Sequence, residues 1–190
     1  RNRPLYKTIS PSMDILISSN LERLLYYKSG KDAAYIASLM KDLETKGSYQ
    51  VKEEIFESVK ADFTGGYCDD EACAQAIKEM YEQHGYVMDP HTAVAYKVMK
   101  DYEKEDSEHK CVLLSTASPY KFAPAVYEAI FGKGDEDEFA CMKQLEEKTG
   151  AQIPAPLKEL STMEIRHNAL VDKDDMEAFV QKTVEEMFHD

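Results

Sequence analysis

The stretch CVLLSTASPYKF, residues 111–122, constrains the fold of this chain more than any other. Val112, Leu113 and Leu114 are consecutive apolar residues, the pattern of a short strand covered on both faces. Ser115, Thr116, Ala117 and Ser118 follow at once, and Pro119 then favours a new helix. A strand is therefore predicted over 111–115 and a helix over about 121–131. In open α/β sheets a ligand sits just beyond the carboxyl end of such a strand.

Most of the rest reads as helix. Ser12 is placed as the cap of a helix over 12–28, with Ile15, Leu16, Leu21, Leu24 and Leu25 as its apolar positions. Asp32 begins a helix that runs to Lys46 and stops at Gly47. A shorter helix spans 52–62, and Gly65-Gly66 breaks the chain. Asp69 caps the next helix, which Gly85 ends. Pro90 fits the first turn of another, running into the acidic run 101–108. A helix over 138–148 follows, then the proline-bearing connector IPAPLKEL, a short strand over 166–171 and a last helix. There is no internal repeat and no low-complexity segment, so residues 1–190 read as one region.

Strands that alternate with helices imply α/β with a parallel sheet. Two or three strands make a thin sheet for so many helices. Either further strands escape the pattern, or part of the sheet belongs to a segment outside this sequence. The start RNRPLYKTIS, without Met, is expected of a processed protein or of a piece of a longer chain.

Charge narrows the function. Asp and Glu number 36 against 23 Lys and Arg, for a net charge of −13. Nucleic-acid and anionic-membrane binders carry basic footprints, so both classes are disfavoured. No apolar run approaches the roughly 20 residues of a membrane helix, and no signal peptide is visible. The four cysteines and five histidines show no metal-ligand spacing. A reduced protein of the cytoplasm is the expectation.

Three segments carry chemistry. At the predicted strand end, the hydroxyls of Ser115 and Thr116 can each give one directed hydrogen bond to a ring nitrogen or a phosphate oxygen. The plainer reading is that Ser118 caps the next helix and Thr116 closes a turn. In DPHTAVAY, Asp89, His91 and Thr92 open a helix whose free N–H groups favour anions. Its plainer reading is an N-cap beside one exposed histidine. In SPSMDILISSNLERL, residues 10–24, the residues Ser12, Asp14, Ser19 and Asn20 surround a helix start.

Taken in order, these segments and the late IRHNALVD resemble the C-terminal half of threonine synthase, in its longer microbial and fungal form, from about residue 8 to the end. The resemblance implies a tryptophan-synthase-β-like fold, fold type II of the pyridoxal 5'-phosphate enzymes. It implies conversion of O-phospho-L-homoserine and water to L-threonine and phosphate. It further implies that Thr116, with Ser115 beside it, meets the cofactor's pyridine nitrogen, and that Asp89, His91 and Thr92 line the cofactor side. By the same resemblance Ser12, Asp14 and Asn20 lie near the substrate. Lys121 is a family-matching cation, although a plain surface lysine fits it equally. The family's Schiff-base lysine and its glycine- and asparagine-containing phosphate loop belong to the N-terminal half, and neither motif is present here.

The chain alone is thus expected to be inactive, with exposed apolar surface that drives self-association. Two other readings stay open. One is a standalone, non-catalytic domain. The other is a different lyase of the same fold, such as a threonine dehydratase, against which the pair DPHTAVAY and STASPYKF argues.

Overall fold

Four aspartates each start a helix in the computed structural model, which describes residues 4–188. Arg1, where the sequence begins, lies outside the described residues. Asp32 accepts from Tyr35 N at 2.9 Å and opens α2 (Ala33–Lys46). Asp69 accepts from Ala72 N at 2.9 Å and opens α4 (Asp70–His84). Asp89 opens α5 (Pro90–Glu105), and Asp137 accepts from Ala140 N at 2.7 Å to open α7 (Glu138–Thr149). Each satisfies a backbone N–H that the first turn would leave unpaired. At the other end, Gly47 and Gly85 take φ of 78° and 66°, where a side chain would strain the backbone. The remaining helices are α1 (Ser19–Lys28), α3 (Glu53–Asp62), α6 (Ala123–Phe131), α8 (Ala155–Leu160) and α9 (Met176–Phe188).

Two apolar clusters organise these elements. The larger joins α4, α5, α6 and α7 through Cys73, Ile77, Met88, Ala93, Val126 and Leu145, all buried. Burying an aliphatic side chain such as Ile77 stabilises by about 1.5–3 kcal/mol. The smaller joins α1, α2 and α3 through Leu25, Ile36, Leu39 and Ile55. Lys28 binds α1 to α3, reaching the carbonyl of Ser58 at 2.8 Å and pairing with Asp62. Beyond buried Ile153 the chain runs largely over open surface. Leu170 is 99% exposed, and the apolar side chains of α9, including Phe179 and Val184, face outward.

The predicted strands do not form among the described residues. Residues 111–115 are extended, but no backbone ladder joins them to a second segment. Val112 and Leu114 point outward, 86% and 73% exposed, while Cys111 and Leu113 are half-buried. The period-2 alternation of a strand is present, and the pairing that defines one is not. Residues 166–170 are exposed and Val171 is half-buried, again without a ladder. The α/β expectation is corrected in that respect: the described residues are helical throughout their regular structure.

The helix predicted over 12–28 also differs. Ser12 is exposed and caps nothing; Pro11–Met13 is a single 3-10 turn. Asp14 folds back on Thr8 and stops that turn. The helix restarts at Ser19, with Ser18 Oγ accepting from Leu21 N at 3.3 Å.

Candidate functional site

Asp89 is the organising residue of the site. It is 1% exposed, and its Oδ1 accepts from His91 N at 2.9 Å and from Thr92 N at 3.2 Å. Its Oδ2 accepts from the hydroxyl of Thr92, itself buried. One carboxylate therefore caps α5 and fixes the Thr92 rotamer. The predicted N-cap is observed.

Thr92 then reaches the extended segment. Ser115 Oγ lies 3.3 Å from Thr92 Oγ1 and 3.2 Å from the Tyr86 hydroxyl. The run Tyr86-Ser115-Thr92 joins the start of α5 to the end of the 111–115 segment. Ser115 and Thr116 are both exposed residues at this junction. Ser118 accepts from Tyr120 N at 3.3 Å and so caps the 3-10 turn Pro119–Phe122, which leads into α6.

His91 is half-buried rather than exposed. Its ring packs edge-on with Phe122, centroids 4.7 Å apart and planes at 76°. Its Nδ1 lies 2.5 Å from the hydroxyl of Ser10. A cleft of about 620 Å³ opens beside it, lined by Met13, His91, Val94, Val98 and Leu113 among others.

The structure thus brings together Asp89, His91, Thr92 and Ser115, with Thr116 adjoining. The substrate-side residues are placed differently. Both oxygens of Asp14 are engaged by Thr8, whose N donates at 2.7 Å and whose hydroxyl donates at 2.8 Å. Ser12 is exposed on the 3-10 turn. Asn20, also exposed, accepts from Arg23 within α1. Lys121 is exposed on the turn before α6.

Sequence reasoning missed Ser10 and Tyr86. Ser10 stands two residues before Ser12 in SPS, and only burial tells them apart: Ser10 is 2% exposed. Tyr86 had a weak signal, its place between the Gly85 helix stop and the Asp89 cap.

The family described as "Threonine synthase, C-terminal" matches residues 92–181. Threonine synthase of Saccharomyces cerevisiae is 33% identical over 201 aligned positions, which take in 98% of this chain and 37% of that protein. The chain corresponds to the C-terminal region of threonine synthases. A human protein named threonine synthase-like 1 is 41% identical over 130 residues, 68% of this chain and 17% of its own length. The solved PLP-bound threonine synthase of Brucella melitensis superposes with a TM-score of 0.72 at 32% identity, covering 95% of this chain and 35% of that one. The chain therefore spans well under half the length of these relatives.

Proposed function

We propose that this chain forms the cofactor-facing C-terminal part of a threonine synthase, a pyridoxal 5'-phosphate-dependent lyase of fold type II. Its reaction would convert O-phospho-L-homoserine and water to L-threonine and phosphate. The observation that carries this reading is the junction at which Asp89 holds Thr92 and Thr92 reaches Ser115 at the end of an extended apolar segment, with the exposed Thr116 next in the chain.

The residues fit such a cofactor. A flat heteroaromatic ring with one edge nitrogen needs a directed neutral donor, and Thr116, next to the anchored Ser115, carries such a hydroxyl. Beside them His91 Nε2 is buried with no hydrogen-bond partner among the described residues. When bound, the cofactor supplies an electron sink next to the substrate's α-carbon. Thr116 would donate to the ring nitrogen and, being neutral, leave it unprotonated. That moderates the sink and favours elimination and replacement over transamination. Thr92 and Asp89 would hold Ser115 and the helix start in place. Lys121 would attract the phosphate group of substrate or product as a mobile point charge.

No described lysine is buried, and the half-buried Lys28, Lys78 and Lys97 are all in ion pairs. A lysine that bonds the cofactor must be a desolvated amine. We therefore assign that lysine to another part of the enzyme and expect this chain alone to be inactive. Four free cysteines suit the reducing cytoplasm, where we place the protein.

The test is to assay the whole enzyme for release of phosphate and L-threonine from O-phospho-L-homoserine. Equal amounts of both support the reading. Formation of a 2-oxo acid and ammonia from threonine, with no phosphate release, points instead to a dehydratase.

A further inference from the structure

Ser10 is 2% exposed and its hydroxyl lies 2.5 Å from His91 Nδ1. A buried hydroxyl proton needs an acceptor, and Nδ1 is the one in reach. His91 then accepts at Nδ1 and carries its own proton on Nε2, because a neutral imidazole has one donor and one acceptor nitrogen. The loop that carries Ser10 is closed on itself. Thr8 donates twice to Asp14, at 2.7 and 2.8 Å, and Ser10 N donates to Thr8 Oγ1 at 3.1 Å. Ile9 N also donates to Asp70 Oδ1 at 3.0 Å, at the start of α4.

We infer that Ser10 and His91 form a positioning pair, in which the buried Ser10 hydroxyl fixes His91 as its Nε2–H tautomer and ties the Thr8–Asp14 loop to the first turn of α5. Neither residue is assigned this role by the resemblance, which places His91 only along the cofactor side. The pair joins positions separated by 81 residues in sequence. On one side the loop continues through residues 15–18 into α1 and Asn20. On the other, His91 follows Pro90 in the turn that Asp89 caps, next to Thr92 and Ser115. The pair therefore sets the distance between the proposed substrate side and the proposed cofactor side. Ser10 acts through His91 and through the loop, and Asp14 acts by holding the loop shut. The catalytic consequence rests on the threonine synthase reading; the tautomer does not.

Two measurements test the pair. In the first, the whole enzyme is labelled with 15N at histidine and its long-range 1H–15N spectrum is recorded near neutral pH. The expected result is the Nε2–H tautomer at His91, replaced by a tautomer mixture in Ser10→Ala and restored in Ser10→Thr. The Nδ1–H tautomer in the unsubstituted enzyme overturns the pair whether or not any variant folds, and so does a tautomer that Ser10→Ala leaves unchanged. In the second, the holoenzyme is assayed with O-phospho-L-homoserine. Folded Ser10→Ala is expected to lose about 10- to 100-fold in kcat/KM through misplacement, with Ser10→Thr close to the unsubstituted enzyme. A folded Ser10→Ala enzyme with unchanged kcat/KM overturns the positioning role. If the unsubstituted holoenzyme releases no phosphate, the threonine synthase reading fails, and the tautomer alone decides the pair.

Discussion

At the scale of single residues, the site rests on one carboxylate and a short run of hydroxyls. Asp89→Ala removes the α5 cap and leaves the buried Thr92 hydroxyl only its longer contact to Ser115. A lost cap costs about 1 kcal/mol, and a fully unpaired buried polar group about 1–3 kcal/mol more, the upper bound for the weakened Thr92 hydroxyl. Thermal or urea unfolding should therefore show a loss of about 1–4 kcal/mol, with Asp89→Asn, which can still cap, losing less. A stability equal to that of the unsubstituted chain would contradict the central place given to Asp89. Asp89 and Thr92 were legible in the motif DPHTAV because capping is local chemistry within three residues. Ser115 was legible from its place at an apolar run's end. Ser10 was not, because nothing near it in sequence reveals a partner 81 positions away. Asp14 was visible as a functional candidate, yet the structure occupies both its oxygens with Thr8.

Helices with an Asp cap and a Gly stop are where reading elements from sequence worked best. Asp32 with Gly47 and Asp69 with Gly85 bracket α2 and α4 where the pattern placed them. The start of α1 failed because Pro11 and Asp14 close a 3-10 turn that competes for the first turn of helix. The strand at 111–115 failed because an apolar run specifies an extended backbone and alternating exposure, while pairing depends on a partner segment that its own residues do not encode. Packing of the Gly65-Gly66 break on α5 can be tested directly. A Cβ on Gly66 would stand 2.6 Å from Val98 Cγ1, and a β-branched residue on a helix has little room to turn. Gly66→Ala should cost about 1–3 kcal/mol, and adding Val98→Ala should recover part of it; additive losses in the double-mutant cycle would contradict this contact. Further along α5, Lys104 at 2.8 Å and then Lys97 hold the Asp101 carboxyl down at about 2. An unfolded Asp titrates near ~3.9. The folded value is the lower one, so this stabilisation is present above about pH 4 and is lost as pH falls from there through about 2. The difference in Tm between the unsubstituted chain and Asp101→Asn should shrink across that window and shrink again in salt, since Lys104 is exposed and Lys97 and Asp101 are only half-buried. A difference that grows on acidification would show that the lysines do not act through Asp101.

For the whole molecule, the broad class was legible and the surface explains why the rest was not. The mainly helical balance, the acidic charge and the family resemblance could be read from the residues. The lack of strand pairing could not, since residues 111–115 and the outward apolar face of α9 present strand-like and helix-like surfaces without partners among the described residues. Purified alone, the chain should self-associate over micromolar concentrations in analytical ultracentrifugation. Replacing Phe179 and Val184 of α9 with Gln should weaken that association, and a monomer at all concentrations would contradict it. The most direct measurement is made on the whole enzyme supplied with pyridoxal 5'-phosphate and O-phospho-L-homoserine. Phosphate and L-threonine are quantified for the unsubstituted enzyme and for Thr116→Val, which keeps the shape and removes the hydroxyl. The expected result is equimolar phosphate and threonine, falling by about 10²-fold in the folded variant, the usual cost of one directed hydrogen bond to the reacting system. Undiminished turnover by Thr116→Val, with an unchanged cofactor absorbance spectrum, would contradict the assignment of Thr116 to the cofactor ring.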